Sequence, residues 1–246
     1  MQYIKERERA VLPSMCDHTA GMSITAVLNE YMDIATLHAE ELGVGADALA
    51  RDSMFWLTVK TRVKVSRLPR MMETVTVRTW PEHRNGTRYN RYYSMEKAGE
   101  ILSEGMTEWS VINTSTGRLV KDLALYPEHV IEDHPAPCSE PFEKFSKDVS
   151  DTEHLGEYTV RSTDIDLGGH MNNVAYCRAL MSMLTSKEAE TLFPGTIELQ
   201  YRSSIYEGDT VRVLKRSSDS EKEFYFVKED GSVSFHALII STGEER

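Results

Sequence analysis

The chain has 246 residues, 40% of them hydrophobic and 27% charged, with a formal net charge of −11. That length is enough to bury a sizeable core as one large domain or two smaller ones, and that hydrophobic fraction excludes a disordered chain. The acidic balance argues against a nucleic-acid scaffold, which needs a basic stripe, and against an anionic membrane surface. Taken in chain order, a strand-like start is followed by a helical pattern from about Ser23 to Leu42. Ile24, Val27, Leu28, Tyr31, Met32 and Ala35 recur there at helical spacing, with Ser23 as N-cap and Gly43 as stop. Alternating, β-branched or aromatic runs then predict strands at Phe55–Ser66, Glu73–Trp80, Arg88–Glu96 and Glu100–Asn113, with a hairpin turn at Lys97-Ala98-Gly99-Glu100.

From about Gly117 to His154 alternation is lost. Pro127, Pro135, Pro137 and Pro141 stand among many charges, and the stretch reads as a linker wrapping the surface. Beyond it the first order of elements returns. Glu157–Arg161 is strand-like, a helix is expected from Asn172 to about Leu192, and strands follow at Thr196–Ile205, Asp209–Lys215, Glu223–Lys228 and Val233–Ser241. Thr210-Val211-Arg212-Val213 mirrors Thr74-Val75-Thr76-Val77, and the turn Glu229-Asp230-Gly231-Ser232 mirrors Lys97–Glu100. An ordered series of such matches is the signature of an internal repeat. The fold class is therefore α+β: two tandem units, each with a long helix wrapped by an antiparallel sheet. The expected bounds are 1–130 for the first unit, 131–154 for the linker and 155–246 for the second.

The most polar stretch at an expected helix entrance is Thr163–Tyr176, T-D-I-D-L-G-G-H-M-N-N-V-A-Y. Buried polar groups need partners, so this density of them points to a site rather than to core. Asp166 and His170 lie four residues apart across Gly168-Gly169, a spacing that brings a carboxylate and an imidazole to one side of a helix N-terminus. The glycines admit positive φ and a close approach of backbone to a ligand. The backbone N–H groups around Met171 to Val174 offer donors for a developing oxyanion. Asn172 and Asn173 read as capping and shaping residues, and Tyr176 as a core residue with a bonded hydroxyl. The plain alternative is that the Asp–His pair is only a helix cap. Cys177 has no base at a suitable spacing and reads as a buried thiol. Ser204 has no G-x-S-x-G elbow and reads as a strand serine. No His, Cys or carboxylate set has metal spacing, so neither metal nor cofactor is expected.

The plan of the chain and the run Asp164–Tyr176 resemble the acyl-[acyl-carrier-protein] thioesterases of plants and bacteria, a double hotdog family with the signature D-x-D-x-N-x-H-x-N-N-x-x-Y. Phe55-Trp56-Leu57, Thr79-Trp80 and Glu108-Trp109-Ser110-Val111-Ile112 resemble its strands. The resemblance implies hydrolysis of fatty acyl carrier-protein thioesters, with Asp166 and His170 catalytic and Gly168, Gly169, Asn172, Asn173 and Ser204 supporting or positioning. It departs from the pattern at Gly168, where the family has asparagine, and in Leu199-Gln200-Tyr201-Arg202-Ser203-Ser204, where Ser204 replaces the family's glutamate. The alternatives are an acyl-coenzyme A thioesterase of the same fold or an acyl-binding protein of low turnover.

By the repeat, Gly21-Met22 stands where the second half has Gly169-His170, so the first half is expected to supply an acyl pocket and the second the chemistry. Met15, Met22, Met32, Met54, Met71 and Met72 are candidates to line that pocket, with ordinary core filling as the alternative. Arg62, Lys64, Arg67 and Arg70 are candidates to contact the acyl carrier protein, or else form a solvated strand face. No nucleic acid and no membrane insertion are expected, and the chain is expected to be a monomer or homodimer. Cys16, Cys138 and Cys177 are odd in number and widely spaced, which predicts reduced thiols. With a charged start at Met1–Arg7, this predicts a cytoplasmic protein without a signal peptide.

Overall fold

The structure is a computed structural model describing residues 3–82, 86–121, 125–126 and 134–242. The chain divides into two compact units: Met1–Val63 with Arg67–Ser139, and Lys64–Ser66 with Glu140–Arg246. The division at Ser139/Glu140 falls inside the stretch read as linker. Of that stretch, residues 122–124 and 127–133, Pro127 included, lie outside the described residues.

The first unit begins with β1 (Lys5–Ala10), then α1 (Ile24–Glu41) and the short α2 (Ala46–Arg51). β2 (Met54–Val65), β3 (Thr74–Pro81), β4 (Tyr89–Lys97), β5 (Glu100–Asn113) and the two-residue β6 (Arg118–Leu119) follow. Its strand order is β1-β3-β4-β5-β2, with β6 on β5. Ser23 caps α1 by accepting the Ala26 N–H at 3.2 Å. Of the expected helix face, Ile24, Val27, Leu28, Tyr31 and Ala35 are buried, and Ile34 and His38 join them. Each large side chain of this kind contributes about 1.5–3 kcal/mol by leaving water. Tyr31 stacks on Tyr93 of β4 at 4.7 Å between ring centroids and bonds Ser103 of β5 at 2.7 Å, which fixes the helix on the sheet. Charged β1 is tied to the same helix, since Arg7 and Arg9 both bind the buried carboxylate of Glu30.

The second unit runs β7 (Glu153–Thr159), α3 (Asn173–Ser182), α4 (Ser186–Glu190), β8 (Gly195–Tyr201), β9 (Thr210–Ser217), β10 (Glu221–Val227) and β11 (Val233–Ser241). Its strand order is β8-β11-β10-β9-β7, every pair antiparallel. Tyr176 packs α3 on the sheet, with its ring 4.9 Å from Phe235 and 5.6 Å from Tyr201.

Two differences from the sequence reading have local causes. The helix expected from Asn172 to Leu192 is broken into α3 and α4. Thr185 and Glu188 form a reciprocal capping box, with Glu188 N–H donating to Thr185 Oγ1 at 3.2 Å and Thr185 N–H to Glu188 Oε2 at 2.9 Å. A T-x-x-E run of this kind starts a new helix. The first unit also contains α2, for which the A-D-A-L-A-R run carried too short a pattern to read. Within the linker, residues 140–150 lie on the outer face of the second unit's own sheet. Phe145 and Val149 pack against Leu214, Tyr225 and Val227, and Gln200 Nε2 donates to the Glu143 carbonyl at 3.0 Å.

Among the described residues no helix is long and apolar enough to cross a membrane. The six methionines do not share one environment, because Met22 is fully buried whereas Met71 and Met72 are 41% and 72% exposed. The basic set is largely engaged elsewhere. Arg62 is buried and donates to the Cys138 carbonyl, Lys64 pairs with Glu140, and Arg67 pairs with Glu73.

Candidate active site

The candidate site is the loop between β7 and α3, and its frame is built by backbone bonds. A 3₁₀ turn at Ser162–Asp164 leads in. The Asp164 side chain, 3% exposed, accepts from the Arg161 N–H at 2.9 Å, the Tyr158 hydroxyl at 2.8 Å and Arg178 at 3.3 Å. Its carbonyl accepts the Asn172 N–H at 2.8 Å, so this one residue holds both ends of the loop. Burial and the Asp164 carboxylate together push the Tyr158 phenol up to about 12, so it stays protonated and donating. Sequence reading assigned Asp164 no role, although as the first acid of D-x-D it carried the signal.

Inside that frame Asp166 and His170 close on each other. The Asp166 N–H donates to the His170 carbonyl at 3.0 Å, and the Gly169 N–H to the Asp166 carbonyl at 3.0 Å. Gly169 sits at φ +75°, a left-handed conformation natural to glycine. Asp166 Oδ1 accepts the Gly168 N–H at 2.8 Å and lies 3.6 Å from His170 Nδ1. That separation is an ion-pair distance, too long for a hydrogen bond. Both side chains are about a quarter exposed, at 22% and 24%, so water reaches them. The imidazole lies over Gly168: a Cβ at that position would stand 2.9 Å from His170 Nε2. The glycine that departs from the resemblance is thus the residue that makes room for the ring.

Three of the four N–H groups expected as oxyanion donors are already bonded to acceptors of the protein itself. Met171 donates to the Ile205 carbonyl and Asn172 to that of Asp164, both at 2.8 Å. Val174 donates to Asn172 Oδ1 at 2.8 Å, which makes Asn172 the N-cap of α3. The Asn173 carbonyl accepts from the Tyr201 hydroxyl at 3.2 Å. The Tyr176 hydroxyl points at the Ser203 carbonyl, 3.5 Å away, and burial raises its pKa. Ser204 makes no hydrogen bond to Asp166 or His170, and its carbonyl accepts from Lys228 Nζ at 2.7 Å. Cys177 is fully buried, and burial pushes its thiol up to about 12, which removes it as a nucleophile at neutral pH.

The first unit repeats this loop bond for bond. The Asp17 N–H donates to the Gly21 carbonyl, Ala20 to that of Asp17, Met22 to that of Pro69 and Ser23 to that of Met15. Ala20, at φ +60°, takes the place of Gly169. This register corrects the sequence alignment by one residue: Gly21 stands opposite His170, and Met22 opposite Met171. The acid survives in the first unit as Asp17, which accepts from Thr19, and the position opposite His170 is Gly21.

The model of the acyl-ACP thioesterase N-terminal domain matches residues 4–124, and that of the C-terminal domain matches residues 147–245. A chloroplastic acyl-[acyl-carrier-protein] hydrolase of Cuphea viscosissima is 27% identical over 245 residues, covering 93% of this chain and 57% of that protein. A chloroplastic dodecanoyl-[acyl-carrier-protein] hydrolase of Cinnamomum camphora is 27% identical over 240 residues, covering 91% and 60%. The chain therefore spans less than two thirds of the length of these relatives. Among solved structures, the 12:0-ACP thioesterase from Umbellularia californica superposes with a TM-score of 0.85 at 21% identity, over 98% of this chain and 97% of that one. An acyl-ACP thioesterase from Bacteroides thetaiotaomicron gives 0.83 at 20% identity, over 97% of each. At these identities the structures establish the double hotdog fold.

Proposed function

The chain belongs to the acyl-ACP thioesterase family, and from that premise we propose that it hydrolyses the thioester of fatty acyl-[acyl-carrier-protein], releasing free fatty acid. The observation that carries the chemistry is the water-accessible pair of Asp166 and His170, 3.6 Å apart at the entrance of α3. Asp166, held by the Gly168 N–H, faces Nδ1 and favours the tautomer with its proton there. Nε2 then holds a lone pair and takes a proton from water. The hydroxide attacks the thioester carbonyl, the tetrahedral intermediate collapses, and the thiolate leaves with the proton from Nε2. The pair shortens when substrate excludes water, as catalytic hydrogen bonds of free enzymes commonly do. Gly169, Asn172, Asn173 and Ser204 act through backbone shape and capping. The second unit supplies the chemistry and the first the acyl pocket. The free thiols of Cys16, Cys138 and Cys177 support a reducing compartment, which we take to be the cytoplasm.

The test is hydrolysis of a chain-length series of acyl carrier proteins, run beside the matching coenzyme A esters, by wild type, Asp166→Ala and His170→Ala. Each variant is expected to lose roughly 10²–10⁴-fold in kcat. An unchanged rate in either variant removes that residue from the mechanism. A strong preference for coenzyme A esters replaces the carrier-protein assignment, and tight acyl binding without turnover replaces the enzymatic one.

A further inference from the structure

The outer face of the second unit's sheet carries a cluster of titratable groups beneath one irregular stretch of chain. His236 of β11 is 1% exposed and pairs in register with Tyr225 of β10 and Gln200 of β8. Among the described residues neither of its ring nitrogens has a hydrogen-bond partner, and Glu223 Oε1 stands 3.7 Å from Nε2. The other oxygen of Glu223 is engaged, since Oε2 accepts the Tyr225 hydroxyl at 2.6 Å and Arg216 Nη1 at 2.8 Å. Burial lowers the pKa of His236 to about 4, with Glu223 opposing and the charges of Arg202 and Arg216 adding to the effect. The covered ring is therefore a neutral imidazole.

The cover is the stretch 141–149, which belongs to no helix or strand. Phe145 sets its ring centroid 5.1 Å from that of the imidazole and 6.1 Å from that of Tyr225, and the Arg202 guanidinium lies 4.6 Å from the same Phe145 ring. Two further ties hold the stretch down. The Glu143 N–H donates to buried Glu198 at 3.0 Å, and Arg216 Nη2 donates to the Asp148 carbonyl at 2.8 Å. The stretch's own charged residues, Glu143, Lys144, Lys147 and Asp148, are exposed. A segment held by side chains instead of a strand ladder opens locally, at less cost than the sheet beneath it. Once Phe145 lifts, water reaches the ring and its ordinary affinity for a proton returns. The uncovered state then binds a proton that the covered state refuses, so acid favours uncovering.

We propose that residues 141–149 form a proton-operated strap, seated on the second sheet through Phe145 while His236 is neutral and lifted when His236 takes a proton. The strap uses neither Asp166 nor His170 and stands apart from the thioesterase reading. Its test is amide hydrogen exchange of the full chain between pH 7.5 and 5, read on peptides spanning the strap and corrected for the intrinsic pH dependence. A ring held at about 4 when covered and at 6.5 when free predicts that protection of the strap falls roughly 30-fold over that range. Exchange in the strap should also be at least roughly 100-fold faster than in β11 at each pH, because the opening is local. His236→Phe keeps an aromatic ring under Phe145 and is expected to reduce the pH effect to within about 2-fold. Glu198→Gln keeps an acceptor for the Glu143 N–H without a titrating group, and is expected to retain the full effect. Strap protection that does not change with pH overturns the proposal, as does an equal fall in His236→Phe or its loss in Glu198→Gln. Exchange of the strap at the rate of β11 overturns it too, because the opening is then global. Should His236→Phe fail to fold, NMR titration of the wild-type ring decides: a midpoint near 6.5 with the strap still protected overturns the proposal.

Discussion

Replacing Gly168 with alanine tests the site's geometry through a contact of known size. A Cβ there would lie 2.9 Å from His170 Nε2, 3.0 Å from His170 Cε1 and 3.0 Å from Asp166 Oδ1. Ordinary contact begins at 3.4 Å, so the imidazole edge must retreat by about 0.5 Å. The backbone at 168 is not left-handed, so alanine adds no φ strain, and the strain falls on the two side chains. The partly exposed ring has room to swing outward, away from a carboxylate already 3.6 Å off. A misplacement of 1 Å costs on the order of 10²-fold, so half of that predicts a fall in kcat of roughly 10-fold. KM should stay within about 2-fold, because substrate binding is not touched. The melting free energy should move by less than about 0.5 kcal/mol, because the residue is on an exposed loop. Asparagine, the residue of the family signature, adds an amide to the same Cβ and is expected to lower kcat further. The assay is steady-state release of carrier-protein thiol from a dodecanoyl substrate, trapped by a chromogenic disulfide. An unchanged kcat in Gly168→Ala, or a raised kcat in Gly168→Asn, refutes the placement of the imidazole over the glycine.

Asn172→Ala removes the N-cap of α3 and is expected to cost about 1 kcal/mol of stability, read by denaturant titration; a null effect denies Asn172 the cap. His236, 1% exposed, has neither ring nitrogen hydrogen-bonded, and burial lowers its pKa to about 4, opposed by Glu223 at 3.7 Å. Between pH 6.5 and about 4 the unfolded chain therefore binds the proton that the folded chain refuses, so stability should fall with pH across that window. His236→Phe is expected to flatten that part of the stability–pH curve, and an unaltered slope locates the effect elsewhere. Thiol labelling of the native chain should modify the partly exposed Cys16 and reach Cys138 and Cys177 only on unfolding; rapid native labelling of Cys177 contradicts its burial.

Much of the fold was legible because its signals are local. Ser23 before an apolar periodicity and Gly43 after it bracketed α1 to within a residue, and the strands Glu100–Asn113 and Val233–Ser241 were read at their observed ends. The capping box at Thr185 was equally local. The apolar spacing of α3, continued toward Leu192, masks it in a periodicity-based reading. The pairing of Asp166 with His170 was also legible, since four residues across two glycines leave the loop few ways to close.

By itself, the sequence determined the repeat, the α+β plan and the acid–imidazole loop, because each rests on short-range spacing. Tertiary structure alone decided what those groups meet. It put the imidazole over Gly168, made Asp164 the clamp of the loop, and used up the Met171, Asn172 and Val174 N–H groups on partners as far away as Ile205. It also brought Arg91 beside His38, 53 residues distant. Such contacts depend on which face of a distant strand or helix arrives at a given point, and the periodicity of one segment carries no record of that.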